Sequence, residues 1–166
     1  DRLTAQCTEL RSLLVKEACR ALELIAQTMR DAFEPFVEVY VSCLIKNTAV
    51  TIAVISNSSH DAICTILAAV PTVRVLPKLL TTIADRSSTL RARSAEYLTL
   101  LLCRMATHPE GERCPLERHI EPVAQALRSA LSDAVSEVRA HARAAFWALE
   151  RHAPARAGKV LHAADG

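Results

Sequence analysis

The amino-acid sequence predicts an all-α protein, an α-solenoid of stacked helical hairpins, on three observations. Of its 166 residues 51% are apolar, but only 4% are aromatic and only three are Gly. A core drawn from Leu, Ile, Val and Ala, with so little Gly, favours helices over a sandwich or barrel. Apolar residues recur at i, i+3, i+4 and i+7 through long segments, the helical period. A short pattern also returns along the chain, beginning at Val15, Ile52, Leu90 and Val138, at intervals of 37, 38 and 48 residues.

The elements follow in order. Residues 1–7 read as the tail of a helix whose start lies outside the sequence. The spacing of Leu10, Leu13, Leu14, Ala18, Ala21, Leu22, Ile25 and Met29 predicts a helix over 10–30, with Arg11, Lys16, Glu17, Arg20 and Glu23 mostly between them. A second helix spans 34–46, with Pro35 in its first turn, where a missing N–H costs nothing. Helices over 50–68 and 73–84 are punctuated by Pro71 and Pro77. The run Leu98, Leu101, Leu102 and Met105 lies in a helix over 88–106, followed by a polar loop from Thr107 to Cys114. Pro115 and Pro122 precede or open a helix over 117–131. Val135, Val138, Ala142, Ala145, Trp147 and Leu149 mark one over 134–152, and Trp147 is expected in the core. Past Pro154 a short helix is expected near 155–164. The whole of 1–166 reads as one domain.

The recurring pattern has physical content. Val15-Lys16 is followed by Cys19 and Leu22, Leu90-Arg91 by Ser94 and Tyr97, Val138-Arg139 by Ala142 and Ala145. Each is apolar–basic, then a small residue three later, then another apolar residue. Ile52, Ser56 and Ser59 make a weaker copy without the basic residue. The small residue lets helices approach, and the period is near that of HEAT and armadillo repeats. One such hairpin cannot bury its apolar face alone, so hairpins stack. The turns before these helices are polar and rich in capping residues: Thr8-Glu9, Asp85-Arg86-Ser87-Ser88 and Ser132–Ser136. In a solenoid they align along one edge, which would carry Arg11, Lys46, Arg86, Arg91 and Arg139.

Three sets of residues resemble a known family. Glu9–Cys19 (ELRSLLVKEAC), Leu116–Ile120 (LERHI) and Asp133–Arg143 (DAVSEVRAHAR) are similar to a TOG domain of the CLASP microtubule-associated proteins. Val54–Leu67 and Arg74-Val75-Leu76-Pro77 resemble the plant forms especially. The resemblance runs from about residue 8 to 160, and Asp133–Arg143 is its most specific part. It implies a flat paddle of six HEAT repeats that binds αβ-tubulin or the microtubule lattice through its intra-repeat turns, and regulates microtubule dynamics by stabilisation or rescue. The turns would be 8–12, 46–51, 85–89 and 132–136. The residues carried over as tubulin-binding are Glu9, Arg11, Lys46, Asn47, Arg86, Ser87, Arg91, Asp133, Ser136 and Arg139. The chain departs from the family in beginning within the second repeat, without the first turn and the Trp it often carries. The turn Asn47–Thr51 has no basic residue beyond Lys46. The uncapped end is expected to leave Phe33, Phe36 and Val37 partly uncovered and open to self-association or a partner.

Other chemistry is weighed against this. Ser59-His60-Asp61 is consecutive on a helix, so the side chains fan out by about 100° per residue and cannot form a relay. Cys103, His108, Cys114 and His119 lack the paired spacing of a zinc site. Glu110 and Glu112 read as solvated loop carboxylates. Three dispersed Gly allow no phosphate loop. No enzyme activity, metal or cofactor is expected. The net charge of +2 argues against a nucleic-acid partner, and no apolar run of membrane-spanning length is present. Six cysteines without a CxxC pair fit a reducing cytoplasm. Arg93 and Arg143 could form ion pairs between helices. Other microtubule-associated proteins are further candidate partners, and the alternative function is a HEAT-repeat scaffold for a protein other than tubulin, such as a kinesin, a kinase or another subunit.

Overall fold

The structure, a computed structural model, describes residues 2–7, 12–105 and 115–152. They form eight α-helices and no strand: α1 (Arg2–Cys7), α2 (Ser12–Met29), α3 (Glu34–Asn47), α4 (Ala53–Ala69), α5 (Leu76–Thr82), α6 (Ser88–Met105), α7 (Ile120–Leu131) and α8 (Ser136–His152). They pair as four hairpins, the HEAT-type organisation expected. The chain packs as two compact units, Asp1–Val75 and Leu76–Gly166.

In the first unit α2 packs along α4 and α3 against α4. Two small side chains meet between α2 and α4. Cys19 Sγ lies 3.9 Å from Ser59 Oγ, forty residues on. Val15, Cys19, Leu22 and Ala26 are buried on α2, and Ile55, Ser59, Ala62 and Ile66 at the same spacing on α4. The repeat in α4 therefore starts at Ile55, three residues after the expected Ile52. Ile52 is instead the extended residue (φ −78°, ψ 101°) from which α4 begins. Phe33 stacks on Tyr40 with ring centroids 5.7 Å apart. Glu34 accepts a bond from Thr72 Oγ1 at 2.9 Å and pairs with Arg74 at 3.4 Å, which ties the start of α3 to the 3-10 turn at 73–75.

In the second unit α6 packs along α8, α7 flanks α8, and α5 lies against α6. Tyr97, Leu98, Leu101 and Leu102 of α6 are fully buried. Thr99 Oγ1 reaches the His141 carbonyl at 3.1 Å, and His152 Nε2 donates to the Leu102 carbonyl at 2.8 Å, so α8 is bonded to α6 in its second turn and at its last residue.

Several expectations need correction. The expected helices 73–84 and 117–131 each open with a 3-10 turn, at 73–75 and 117–119, before Pro77 and Pro122 enter their α-helices. Trp147 is not core: it is 60% exposed, edge-on to Phe146. Leu13, expected on the buried face of α2, is 74% exposed, and Met29 is exposed as well. Leu13 sits two positions before buried Val15, and Trp147 two after buried Ala145. Two positions turn a helix by about 200°, to its far side. Phe33 and Val37 are buried, contrary to expectation, while Phe36 is 48% exposed. Leu10 and the expected helix near 155–164 lie outside the described residues.

Candidate functional site: the interhelical turns

In the second unit the turn before α6 is built on Asp85. Its Oδ1 accepts the Ser87 N–H at 2.8 Å, and Ser87 Oγ in turn accepts the Leu90 N–H at 3.4 Å, capping the helix. Arg91, one turn into α6, folds back over this loop. Its Nη1 donates to the carbonyls of Asp85 and Arg86, both at 3.0 Å. Its Nε and Nη2 donate to Asp133 Oδ2 and Oδ1 at 2.7 and 3.1 Å, a two-pronged ion pair. The turn before α8 repeats the design. Asp133 Oδ1 also accepts the Val135 N–H at 2.8 Å. Arg139 Nη1 donates to the carbonyls of Asp133 and Ala134 at 2.6 and 2.9 Å. Asp85 to Arg91 and Asp133 to Arg139 are thus one device, an Asp with an Arg six positions later.

The electrostatics follow from these bonds. The hydrogen bonds from Arg91, and then that from Val135, hold the Asp133 carboxyl below its ordinary value. The Asp133 bond raises Arg91. Only 19% of the Arg91 side chain and 11% of the Asp133 side chain remain exposed. Arg86 differs: its carbonyl is held by Arg91, but its side chain is exposed. Ser136, the first residue of α8, is also exposed.

In the first unit the turn between α3 and α4 is neutral. Thr48 is buried and bonded to the Ile45 carbonyl at 2.7 Å, and Ser56 Oγ donates to the Thr48 carbonyl at 2.9 Å. By the corrected register Ser56 stands where α6 has Arg91 and α8 has Arg139. Lys46 is exposed and Asn47 half-buried. Val50, Ile52 and Val54 are all exposed, an apolar rim that helical periodicity did not flag. Its signal in the sequence was a run of β-branched residues at a turn rather than inside a helix. Asp85 was read only as part of a capping turn, although its spacing to Arg91 could have been read. Glu9 and Arg11 lie outside the described residues.

The alternative chemistry is dispersed. Ser59 is buried against Cys19, and the His60 ring lies within 3.9 Å of Cys64 Sγ on its own helix. Asp61 is exposed and, after burial itself, is the next cause that raises Glu23. Cys103 is exposed on α6 and His119 lies in the turn before α7, while His108 and Cys114 are outside the described residues. Among the described residues no three His, Cys, Asp or Glu side chains gather as a metal set, and no helix is long and apolar enough to cross a membrane. Arg93 pairs with Glu96 of its own helix at 3.0 Å, and Arg143 is exposed.

Comparison with known proteins gives this geometry a family. The CLIP-associated protein of Arabidopsis thaliana is 32% identical over 98% of the chain, and CLIP-associating protein 1 of Xenopus tropicalis 27% identical over 93%. The chain spans 11% and 10% of their lengths. A solved structure described as the structural basis of microtubule plus-end tracking by XMAP215, CLIP-170 and EB1 has the same fold. It matches 98% of this chain and 72% of its own, with a TM-score of 0.73 at 16% identity. The family model described as CLASP N terminal matches residues 1–166, so the chain belongs to the CLASP N-terminal family.

Proposed function

We propose that this chain is a microtubule-associated binding module that engages αβ-tubulin, free or in the lattice, through its interhelical turns. Membership of the CLASP N-terminal family supports the partner. The observation that carries the mode of binding is the pair of linked turns in the second unit, which keeps Arg86 exposed on a bonded backbone. Tubulin's surface is acidic in this reading, so a fixed cation gains complementarity without first ordering a loop. Lys46, Asn47 and Ser136 are further contacts, with Glu9 and Arg11, which precede α2 in the sequence. Stabilisation or rescue of microtubules, a cytoskeletal location and action by binding rather than catalysis belong to the same proposal.

Co-sedimentation with microtubules and gel filtration with free tubulin test it. Arg86→Glu and Lys46→Glu should each weaken binding several-fold, since each sets a negative charge against an acidic partner. Melting should shift by less than about 0.5 kcal/mol, as for other exposed sites. Arg104→Glu, in the last turn of α6, should bind as the parent does. If the parent migrates with neither form of tubulin, the reading gives way to a scaffold for another protein.

A further inference from the structure

We propose that Arg91, Asp133 and Arg139 are positioning residues that clamp the two turns of the second unit into one edge, and that Arg86 is the cation this edge presents. The inference rests on the binding reading above. A guanidinium has five N–H donors in a rigid fork. Arg91 commits Nε and Nη2 to Asp133 and Nη1 to two carbonyls. To reach a partner it would have to release short, charge-assisted bonds and leave Asp133 unpaired, which costs more than a new exposed pair returns. Arg139 repeats the backbone half of this, its Nη1 donating to the Asp133 and Ala134 carbonyls.

Asp133 is the shared member. Its carboxylate receives Arg91 from α6 and its carbonyl receives Arg139 from α8. The two turns are therefore linked in series: Asp85 and Arg86 carbonyls, Arg91, Asp133, Arg139. Arg86 lies on this chain by its carbonyl alone. Its backbone is restrained and its charged head is exposed. In the turn between α3 and α4 of the first unit, Ser56 stands in place of Arg91 and donates to the Thr48 carbonyl, and the exposed Lys46 lies at the end of α3.

Lysine substitution separates positioning from contact, because Lys keeps the charge and loses the fork. Tubulin affinity would be measured for Arg86→Lys, Arg91→Lys, Arg91→Gln and Asp133→Asn, each well below its own melting temperature. Arg86→Lys keeps the exposed charge and leaves the clamp intact, so it should lose less affinity than Arg91→Lys. Arg91→Lys should lose as much as Arg91→Gln. A second readout needs no tubulin: exchange of the Ser87 and Val135 amides, bonded to Asp85 and Asp133. It should quicken in Arg91→Lys and Asp133→Asn and stay unchanged in Arg86→Lys. Binding of Arg91→Lys at the parent's level while Arg91→Gln fails would make Arg91 a direct contact and overturn the proposal. Unchanged exchange in Arg91→Lys and Asp133→Asn would overturn the clamp. Failure of the parent chain to bind would instead remove the partner reading, with the exchange result still deciding whether the clamp exists.

Discussion

Asp133 shows how one side chain can set both stability and presentation. Its carboxyl is held below the ordinary value of 3.8 by hydrogen bonds from Arg91 and Val135. A depressed folded value means the folded state favours the ionised form. The resulting stability is present in full above the ordinary value and is lost as pH falls through the depressed one. Denaturant unfolding of the parent and Asp133→Asn should show a constant difference above about pH 5 that narrows below about pH 3.8. A gap that widens in acid would reverse the assignment. The bond between Arg91 and Asp133 was not legible in the sequence. Both residues were read as facing a partner, because a charge on a turn looks the same whether it points outward or back onto the next turn. What could be read was the residue type and its recurrence at Arg91 and Arg139.

At the scale of the element, the seams between second helices decide how closely hairpins approach. Cys19 meets Ser59 in the first unit, and Ser94 is fully buried on α6 in the second. Ser94 Oγ has no hydrogen-bond partner among the described residues. Its hydroxyl is there for size, not polarity, so Ser94→Ala should raise stability by about 1 kcal/mol, a buried unpaired polar atom being removed. Ser59→Leu should lower it by about 1–3 kcal/mol through overpacking. Thermal melts of both read the seam directly, and a loss with Ser94→Ala would mean the hydroxyl is satisfied. The small residue at this position was legible at Cys19, Ser94 and Ala142. In α4 the reading slipped by three residues, because Ile52 and Ile55 are both apolar and only packing against α2 chooses between them.

For the whole molecule the net charge of +2 is too small to steer a partner by itself. If tubulin is bound, the electrostatics are local to the turns. Affinity should then fall as salt rises toward physiological strength, where exposed charges more than roughly 8 Å apart are largely screened. Arg86→Glu should flatten that dependence, whereas Arg104→Glu should leave it as it is. Equal salt slopes in parent and Arg86→Glu would place the contact elsewhere. The exposed Val50, Ile52 and Val54 predict a residual, salt-insensitive part of the binding.

The sequence by itself determined that this protein is a set of helical hairpins and where its turns fall, because helical periodicity, proline and capping residues are local and additive. It also carried the family, through the stretch Asp133–Arg143. Only the tertiary structure decided which side of each helix is covered. Leu13 and Trp147 are as apolar as their buried neighbours, yet they lie about 200° round from the packed stripe, and no neighbouring helix among the described residues covers them. It alone decided which charges are spent inside the fold. Arg91 finds Asp133 forty-two residues away, a pairing that exists only once α6 and α8 are side by side, and it holds the Arg86 backbone while the Arg86 side chain is exposed.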